Sequence, residues 1–374
     1  VNFLLAPDSF KGSMTSAEAA ESMAEAVRAV DSSNHVKLKP MADGGEGTLD
    51  ALMKAGNGES VAVTCNGPLG KTIESCYVIL DDQTAVIECA SISGLPMISE
   101  GKRNPDHTTT YGIGEAILHA LDRGVRSFII GLGGSSTNDG GMGMLQALGM
   151  KAFDNRGNVA GKYGKDFLKV EDVDFSELDS RLQQSEFKVA CDVDNPLTGD
   201  RGASFIFGPQ KGATGKQVID YDQAMTRYGK AVEKALGKSM MDTEGAGAAG
   251  GLGFALLALG GKLQSGAELV GKAVGLQEAV QWADVVITGE GQSDRQTLYG
   301  KAPGYVASQA SLYGKPTILL SGSITGDFER LNEKFLGCFS IVAGPNTLKN
   351  CMKNGHQYLY NATSQLTRLI MRWN

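Results

Sequence analysis

Five clusters of glycine with polar residues recur along the chain, and each holds a group that could do chemistry. The longest runs from Gly131 through Leu132, Gly133, Gly134, Ser135, Ser136, Thr137, Asn138 and Asp139 to Gly140 and Gly141. It lies between the apolar run Phe128-Ile129-Ile130 and a helix-like stretch from Met142. Glycine lets backbone N–H groups converge without side chains in the way, and a helix start adds positive dipole. Such a run suits an anion, most often a phosphate. Its three hydroxyls, one amide and the Asp139 carboxylate exceed what a plain βα turn requires. Asp8-Ser9-Phe10-Lys11-Gly12-Ser13 follows the first apolar run, and its lysine can neutralise a phosphate or a carboxylate. Ala42-Asp43-Gly44-Gly45-Glu46-Gly47-Thr48 sets two carboxylates around glycines before a helix, where they could also serve only as dipole complements. In Cys191-Asp192-Val193-Asp194-Asn195, the two aspartates point the same way if the preceding strand continues. Paired carboxylates at a strand end suit Mg²⁺ or a general base. Glu290, between Gly289 and Gly291 with Lys301 further on, has the strand-end setting of a switch-point site.

Other chemistries lack their parts. No GxxxxGK[ST] or GxSxG motif occurs, and the four histidines (35, 107, 119, 356) have no metal-ligand spacing. Gly245-Ala246-Gly247-Ala248-Ala249-Gly250 spells GxGxxG, but Met241-Asp242-Thr243-Glu244 before it is no strand. It reads better as small residues leading into a buried helix. Glycine loops, carboxylates and lysines remain, and these are the parts of phosphoryl transfer: a phosphate cradle, a carboxylate-held Mg²⁺ and a base beside the attacking hydroxyl.

The elements that must position these groups alternate between strand and helix. Strands are expected at Asn2–Ala6, Val36–Lys39, Val61–Cys65, Ser75–Leu80, Thr84–Glu88, Ser127–Gly131, Phe187–Cys191, Val285–Thr288, Thr317–Ser321 and Cys338–Val342. Helices are expected over Ser16–Val30, Gly112–Asp122, Ile219–Ala235 and His356–Arg372, among others. The alternation predicts an α/β protein, and 374 residues predict two domains. Residues 1–58 and 282–374 are read as a discontinuous Rossmann-like domain with a parallel sheet. Residues 59–281, which open with strands joined by short turns, are read as an inserted second α/β domain with a mixed sheet, and the active site is expected in the cleft between the two. The 50 glycines gather at the ends of apolar runs, as loops around one ligand would.

Composition narrows the class further. A net charge of −7 argues against nucleic-acid binding, and no apolar run of about 18 residues predicts a membrane span. The first residues read as a strand, not a signal peptide, and six cysteines without CxxC spacing read as reduced cytoplasmic thiols.

The motifs DSFKGS (8–13), ADGGEGT (42–48), RNPDHTTTYG (103–112), GLGGSSTNDGGMGMLQALG (131–149), CDVDNPLTG (191–199), FGPQKGA (207–213), GAGAAGGLG (245–253) and ITGEGQSD (287–294) resemble, in content and order, those of bacterial class I glycerate kinases. Ser136 and Met142 depart from the alanines common there. The resemblance implies two α/β domains and transfer of phosphate from ATP, with Mg²⁺, to D-glycerate. It implies attack chiefly by the 2-hydroxyl to give 2-phosphoglycerate, with 3-phosphoglycerate as the alternative product. A hydroxy-acid dehydrogenase and a non-catalytic sugar-acid sensor are the rival readings. On the kinase reading, Asp192 or Asp194 is the base and Lys11 assists. Lys11 and Arg103 meet the substrate carboxylate, with Ser13 and Asp8 nearby. Gly133, Gly134, Ser135, Ser136, Asn138 and Lys211 hold the ATP phosphates. Asp43, Glu46, Asp139 and Glu290 compete for Mg²⁺. The expected partners are the two small substrates alone, in a cytoplasmic monomer or homodimer.

Overall fold

The computed structural model describes residues 1–54, 58–298, 300–326 and 328–373. Thirteen strands follow one another among these residues. They are β1 (Asn2–Leu5), β2 (His35–Leu38), β3 (Gly58–Asn66), β4 (Thr72–Leu80), β5 (Thr84–Glu88), β6 (Ser127–Gly131), β7 (Lys151–Asp154), β8 (Val170–Asp174), β9 (Glu186–Ala190), β10 (Lys262–Gln264), β11 (Val285–Ser293), β12 (Thr317–Ile324) and β13 (Gly337–Ser340). The chain divides into two compact units. The first comprises Val1–Asp43, Gly47–Asn57 and Ser265–Asn374, and the second comprises Gly44–Glu46 and Gly58–Gln264.

In the first unit five strands lie in the order β13-β12-β11-β1-β2, and every pairing is parallel. Counted along this unit's own chain, the order is 2-1-3-4-5. Both faces are covered, as parallel sheets require. Alternation along a strand decides which residue meets which layer. Ile318 and Leu320 join Phe3, Leu5, Met23, Val27, Leu359 and Leu366 in one core, whereas Leu319 joins Ala307, Leu331 and Phe335 in another. The first core is closed by helix Ser16–Val30 and helix Gly355–Trp373, which pack on each other. Thr15 starts the former as a capping box: its hydroxyl accepts from Glu18 N at 3.1 Å while Glu18 returns a bond to Thr15 N at 2.8 Å.

The return to this unit is expected at 282, whereas the unit resumes at Ser265. Helices Gly266–Ala273 and Leu276–Trp282 bury Leu269, Val270, Leu276 and Val280 and pack beside helix Ala302–Leu312. Hydrophobic burial ties these two helices to the parallel sheet.

The second unit holds a six-stranded mixed sheet, β10-β9-β6-β5-β4-β3. Its β3-β4-β5 edge is antiparallel, and the pairs from β5 through β6 and β9 to β10 are parallel. Phe128 and Phe187 stack across β6 and β9 with ring centroids 4.9 Å apart, over a core shared with Ile113 and Ile117 of helix Tyr111–Asp122. β7 and β8 form a separate antiparallel pair. Among the described residues no helix is long and apolar enough to cross a membrane.

Candidate active site

In the first unit the chemistry-bearing residues lie in or beyond the carboxyl-terminal parts of neighbouring parallel strands. β1 ends at Leu5; Thr288 Oγ1 donates to Ala6 O at 2.7 Å, and Asp8 N donates to Gly289 O at 2.8 Å. Asp8 is thereby fixed beside β11, at the point where the strand order reverses. Ligand crevices of open α/β sheets form at such points. The chain then turns sharply through Phe10–Met14, with Phe10 N and Met14 O bonded at 3.0 Å. Gly291 has no side chain to obstruct this turn, since a Cβ there would come within 3.3 Å of Lys11 N.

This arrangement brings Asp8, Lys11, Asp43 and Glu290 within electrostatic reach of one another. Asp8 is buried and receives Ser9 N–H at 2.6 Å. Its acid pKa is pushed up to about 7, first by burial and then by the negative charge of Asp43, with Glu290 adding a smaller push; Ser9 N–H and Lys11 oppose the rise. Lys11 is exposed over most of its side chain and lies 3.7 Å from Asp43, whose charge raises the lysine above its ordinary value. Glu290 is buried and already engaged. Its Oε1 accepts from Ser293 Oγ at 3.0 Å and Thr297 Oγ1 at 2.6 Å, and Oε2 lies 3.4 Å from Lys301 Nζ. Ser13 donates to Met352 O at 2.7 Å, so its hydroxyl proton is committed to the protein.

The long glycine cluster of the second unit is arranged differently. Only Gly133 and Gly134 are accessible, and residues 135–141 are buried. Ser136 bonds Ser93 O through both N–H (2.9 Å) and Oγ (2.8 Å), and Asn138 Nδ2 donates to Ser204 Oγ at 3.1 Å. Asn138 Oδ1 and Thr137 Oγ1 are buried and find no protein donor. Lys211, fully buried, donates to Ser135 Oγ at 2.8 Å and Thr137 O at 2.7 Å; burial draws its pKa down to about 8.

Asp139, one of the expected Mg²⁺ ligands, is held by donors of the protein itself. Its Oδ2 accepts from Thr110 N (2.9 Å), Thr110 Oγ1 (2.8 Å) and Gly143 N (3.3 Å), while Oδ1 accepts from Gly141 N at 3.1 Å. A carboxylate with no accessible surface and four protein donors is a clamp on its own loop. Burial nevertheless raises its pKa against these bonds. The run 245–251 packs on the same loop. Gly250, at φ +71°, gives its carbonyl to Gly140 N at 2.9 Å, and a Cβ there would lie 2.1 Å from Thr137 O. Close backbone packing thus accounts for the GxGxxG spelling.

At Asp192 and Asp194 the expected strand alignment does not form. β9 stops at Ala190, so the alternation expected to aim both carboxylates one way never extends to them. Both are exposed, and Asp194 pairs with Arg201 at 2.7 Å on the surface. Arg103 turns its guanidinium to Ile98 O at 3.4 Å. Exposed Glu46 lines a shallow depression with Glu88 and Met97. Sequence reading also missed Thr110, Ser293 and Thr297, whose hydroxyls orient Asp139 and Glu290; nothing local distinguishes them from other surface-type hydroxyls. Among the described residues no three His, Cys, Asp or Glu side chains gather to hold a metal by themselves.

An acid, its neighbouring carboxylates and a lysine at the switch point of a parallel sheet are the setting in which α/β enzymes hold ligands. The glycerate kinase family model matches residues 3–371. The chain is 45% identical over 373 residues to the glycerate kinase of Bacillus subtilis (strain 168), covering 99% of this chain and 98% of that protein. It is 41% identical over 373 residues to the glycerate 2-kinase of Escherichia coli (strain K12), with the same coverage. A crystal structure from Salmonella typhimurium LT2, assigned as glycerate kinase 2, superposes with a TM-score of 0.88 at 40% identity, covering 100% of this chain and 98% of that one. The chain belongs to the glycerate kinase family.

Proposed function

We propose that the enzyme transfers the γ-phosphoryl group of ATP to the 2-hydroxyl of D-glycerate, giving 2-phosphoglycerate and ADP, in the cytoplasm and with Mg²⁺. The observation that carries this reading is Asp8, a buried carboxyl with a pKa of about 7 beside a lysine. A general base works best with a pKa near the operating pH. Asp8 would take the proton of the attacking hydroxyl as its oxygen bonds to phosphorus and the bond to the ADP oxygen breaks. Lys11 suits an anionic partner, either the glycerate carboxylate or the transferring phosphoryl group. The name of the Escherichia coli relative supports the 2-hydroxyl as nucleophile. In the second unit the accessible Gly133–Gly134 turn is the part of the glycine cluster open to a phosphate, and Ser135, Ser136, Asn138 and Lys211 support it from within.

For Mg²⁺ the donor chemistry favours Asp43. Asp139 has no accessible surface and Glu290 is buried, whereas Asp43 is partly exposed beside Lys11, so a hydrated cation can reach it. One carboxylate is enough for a cation that keeps its waters and takes phosphate oxygens. When bound, Mg²⁺ would neutralise charge on the β- and γ-phosphates.

³¹P NMR of a reaction with D-glycerate, ATP and Mg²⁺ tests the reading. A 2-phosphoglycerate resonance is expected. A 3-phosphoglycerate resonance would reverse the choice of hydroxyl, and the absence of any phosphoester would overturn the kinase proposal.

A further inference from the structure

Beyond the carboxyl ends of β11, β12 and β13 the first unit carries an open cavity of about 590 Å³. Its walls are mainly apolar: Phe10, Ile324, Ile341 and Val342 line it, and Phe328 and Leu348 stand exposed at its rim. Small-molecule sites are commonly apolar cavities of roughly 300–1,000 Å³ with a few placed polar groups. Here Ser323 and Ser340 supply such groups, and Lys11 and Ser13 also line the cavity. Glycerate does not explain these walls, because its three carbons carry a carboxylate and two hydroxyls and offer little apolar surface.

We propose that this cavity takes the base and ribose of the nucleoside triphosphate, with the phosphate chain directed toward Lys11. The inference rests on the phosphoryl-transfer reading above. Three observations converge on it. The cavity is large and apolar enough for a heteroaromatic base. It is continuous with the carboxylate cluster, since Lys11 both lines the cavity and pairs with Asp43. It also lies at the strand carboxyl ends, where parallel sheets receive ligands. The glycine cluster of the second unit offers no comparable apolar wall, because its side chains turn inward to Ser93, Ser204 and Lys211.

Cys351 also lines the cavity and is partly exposed, which provides a direct probe. The full-length enzyme would be alkylated with N-ethylmaleimide and mapped by peptide mass spectrometry. The reaction would be run alone, with a non-hydrolysable ATP analogue and Mg²⁺, and with glycerate. The nucleotide should slow Cys351 modification at least about tenfold and leave Cys76 of β4 unchanged, while glycerate alone should protect neither. In parallel, Ser323→Trp, which fills the cavity from an exposed position, should raise KM for ATP at least about tenfold and leave KM for glycerate within about twofold. Unaltered Cys351 reactivity in an enzyme that forms phosphoglycerate would overturn the cavity proposal and leave the kinase reading standing. Protection of Cys351 without any phosphoester would uphold a nucleotide site and overturn the kinase reading. Protection by glycerate alone would reassign the cavity to the acceptor. Should Ser323→Trp fail to fold, Cys351 protection still decides.

Discussion

Two regions of this molecule combine glycine, hydroxyl, carboxylate and lysine, and they use that combination in opposite ways. At the strand ends of the first unit, Asp8 holds an elevated pKa among Asp43 and Glu290, and Lys11 reaches solvent. In the glycine cluster of the second unit, Asp139 accepts four hydrogen bonds, and Lys211 lies buried against Ser135 and Thr137. The first region leaves charge imperfectly compensated, the condition that makes a group reactive. The second spends most of its polar groups on one loop conformation, and only Thr137 Oγ1 and Asn138 Oδ1 among its described side-chain atoms stay buried without a partner. Residue type alone does not separate a reactive cluster from a structural one. The separation comes from whether remote partners have already satisfied the group.

The sharpest way to break this comparison is Asp8→Asn. The amide keeps the shape and cannot take a proton, so kcat should fall roughly 10²–10⁴-fold with a far smaller change in KM. Steady-state kinetics checks this. If kcat survives, and Asp192→Asn abolishes it instead, the base belongs to the second unit and the contrast drawn here is inverted.

Asp139→Ala tests the other side. Removing a buried carboxylate strands Thr110 N–H, its hydroxyl, Gly141 N–H and Gly143 N–H without their acceptor. A loss of about 3 kcal/mol in denaturant unfolding is expected. A variant that unfolds normally but needs far more Mg²⁺ for turnover would make Asp139 a metal ligand after all.

Much of the scaffold could be read before any coordinates. All ten expected strands occur, because short apolar runs, several of them rich in Val and Ile and bounded by Gly, Pro or Asp, have few alternatives. The three missed strands lacked that signal. β10 is only Lys262-Leu263-Gln264, and β8, Val170-Glu171-Asp172-Val173-Asp174, is acid-rich enough to read as a loop. At the site, the clusters containing Asp8, Asp43 and Glu290 were visible one by one. Their convergence was not, because it depends on β1 lying between β2 and β11. The inward turn of the 131–141 run was equally hidden, since it depends on Thr110, Ser204, Lys211 and Gly250, all distant in sequence.

Stability against pH sharpens the contrast by a smaller amount. Asp8 has a folded-state pKa of about 7 against an ordinary 3.8, so between those values the native state binds more protons than the unfolded one. Stability supplied through this group is therefore present at low pH, falls as pH rises from about 4 to 7, and is fully lost above about 7. Three pKa units would set a ceiling of ~4 kcal/mol, and relaxation around the buried charge lowers the expectation to about 2 kcal/mol. Asp8→Asn, measured without Mg²⁺, should match the wild type near pH 4 and exceed it by that amount at pH 8. Parallel curves would mean that Asp8 carries no burial cost. Its claim to be a poised base would then lose its physical cause.

The smallest effect is expected from Asp194→Asn. Asp194 and Arg201 are both about two-thirds exposed, 2.7 Å apart, in a loop that β9 does not reach. Exposed ion pairs contribute little, because solvent screens them and two long side chains lose freedom in forming them. The unfolding midpoint should stay where it was, and kcat should remain within about twofold, as for a surface substitution away from the chemistry. The pairing with Arg201 makes the test discriminating. If the loop bound substrate, Asp194→Asn would release Arg201 to an incoming anion and lower KM, while Arg201→Gln would raise it. Opposite KM shifts from the two variants would return this loop to the reaction, and unchanged KM in both would leave the reacting carboxylates with the parallel sheet.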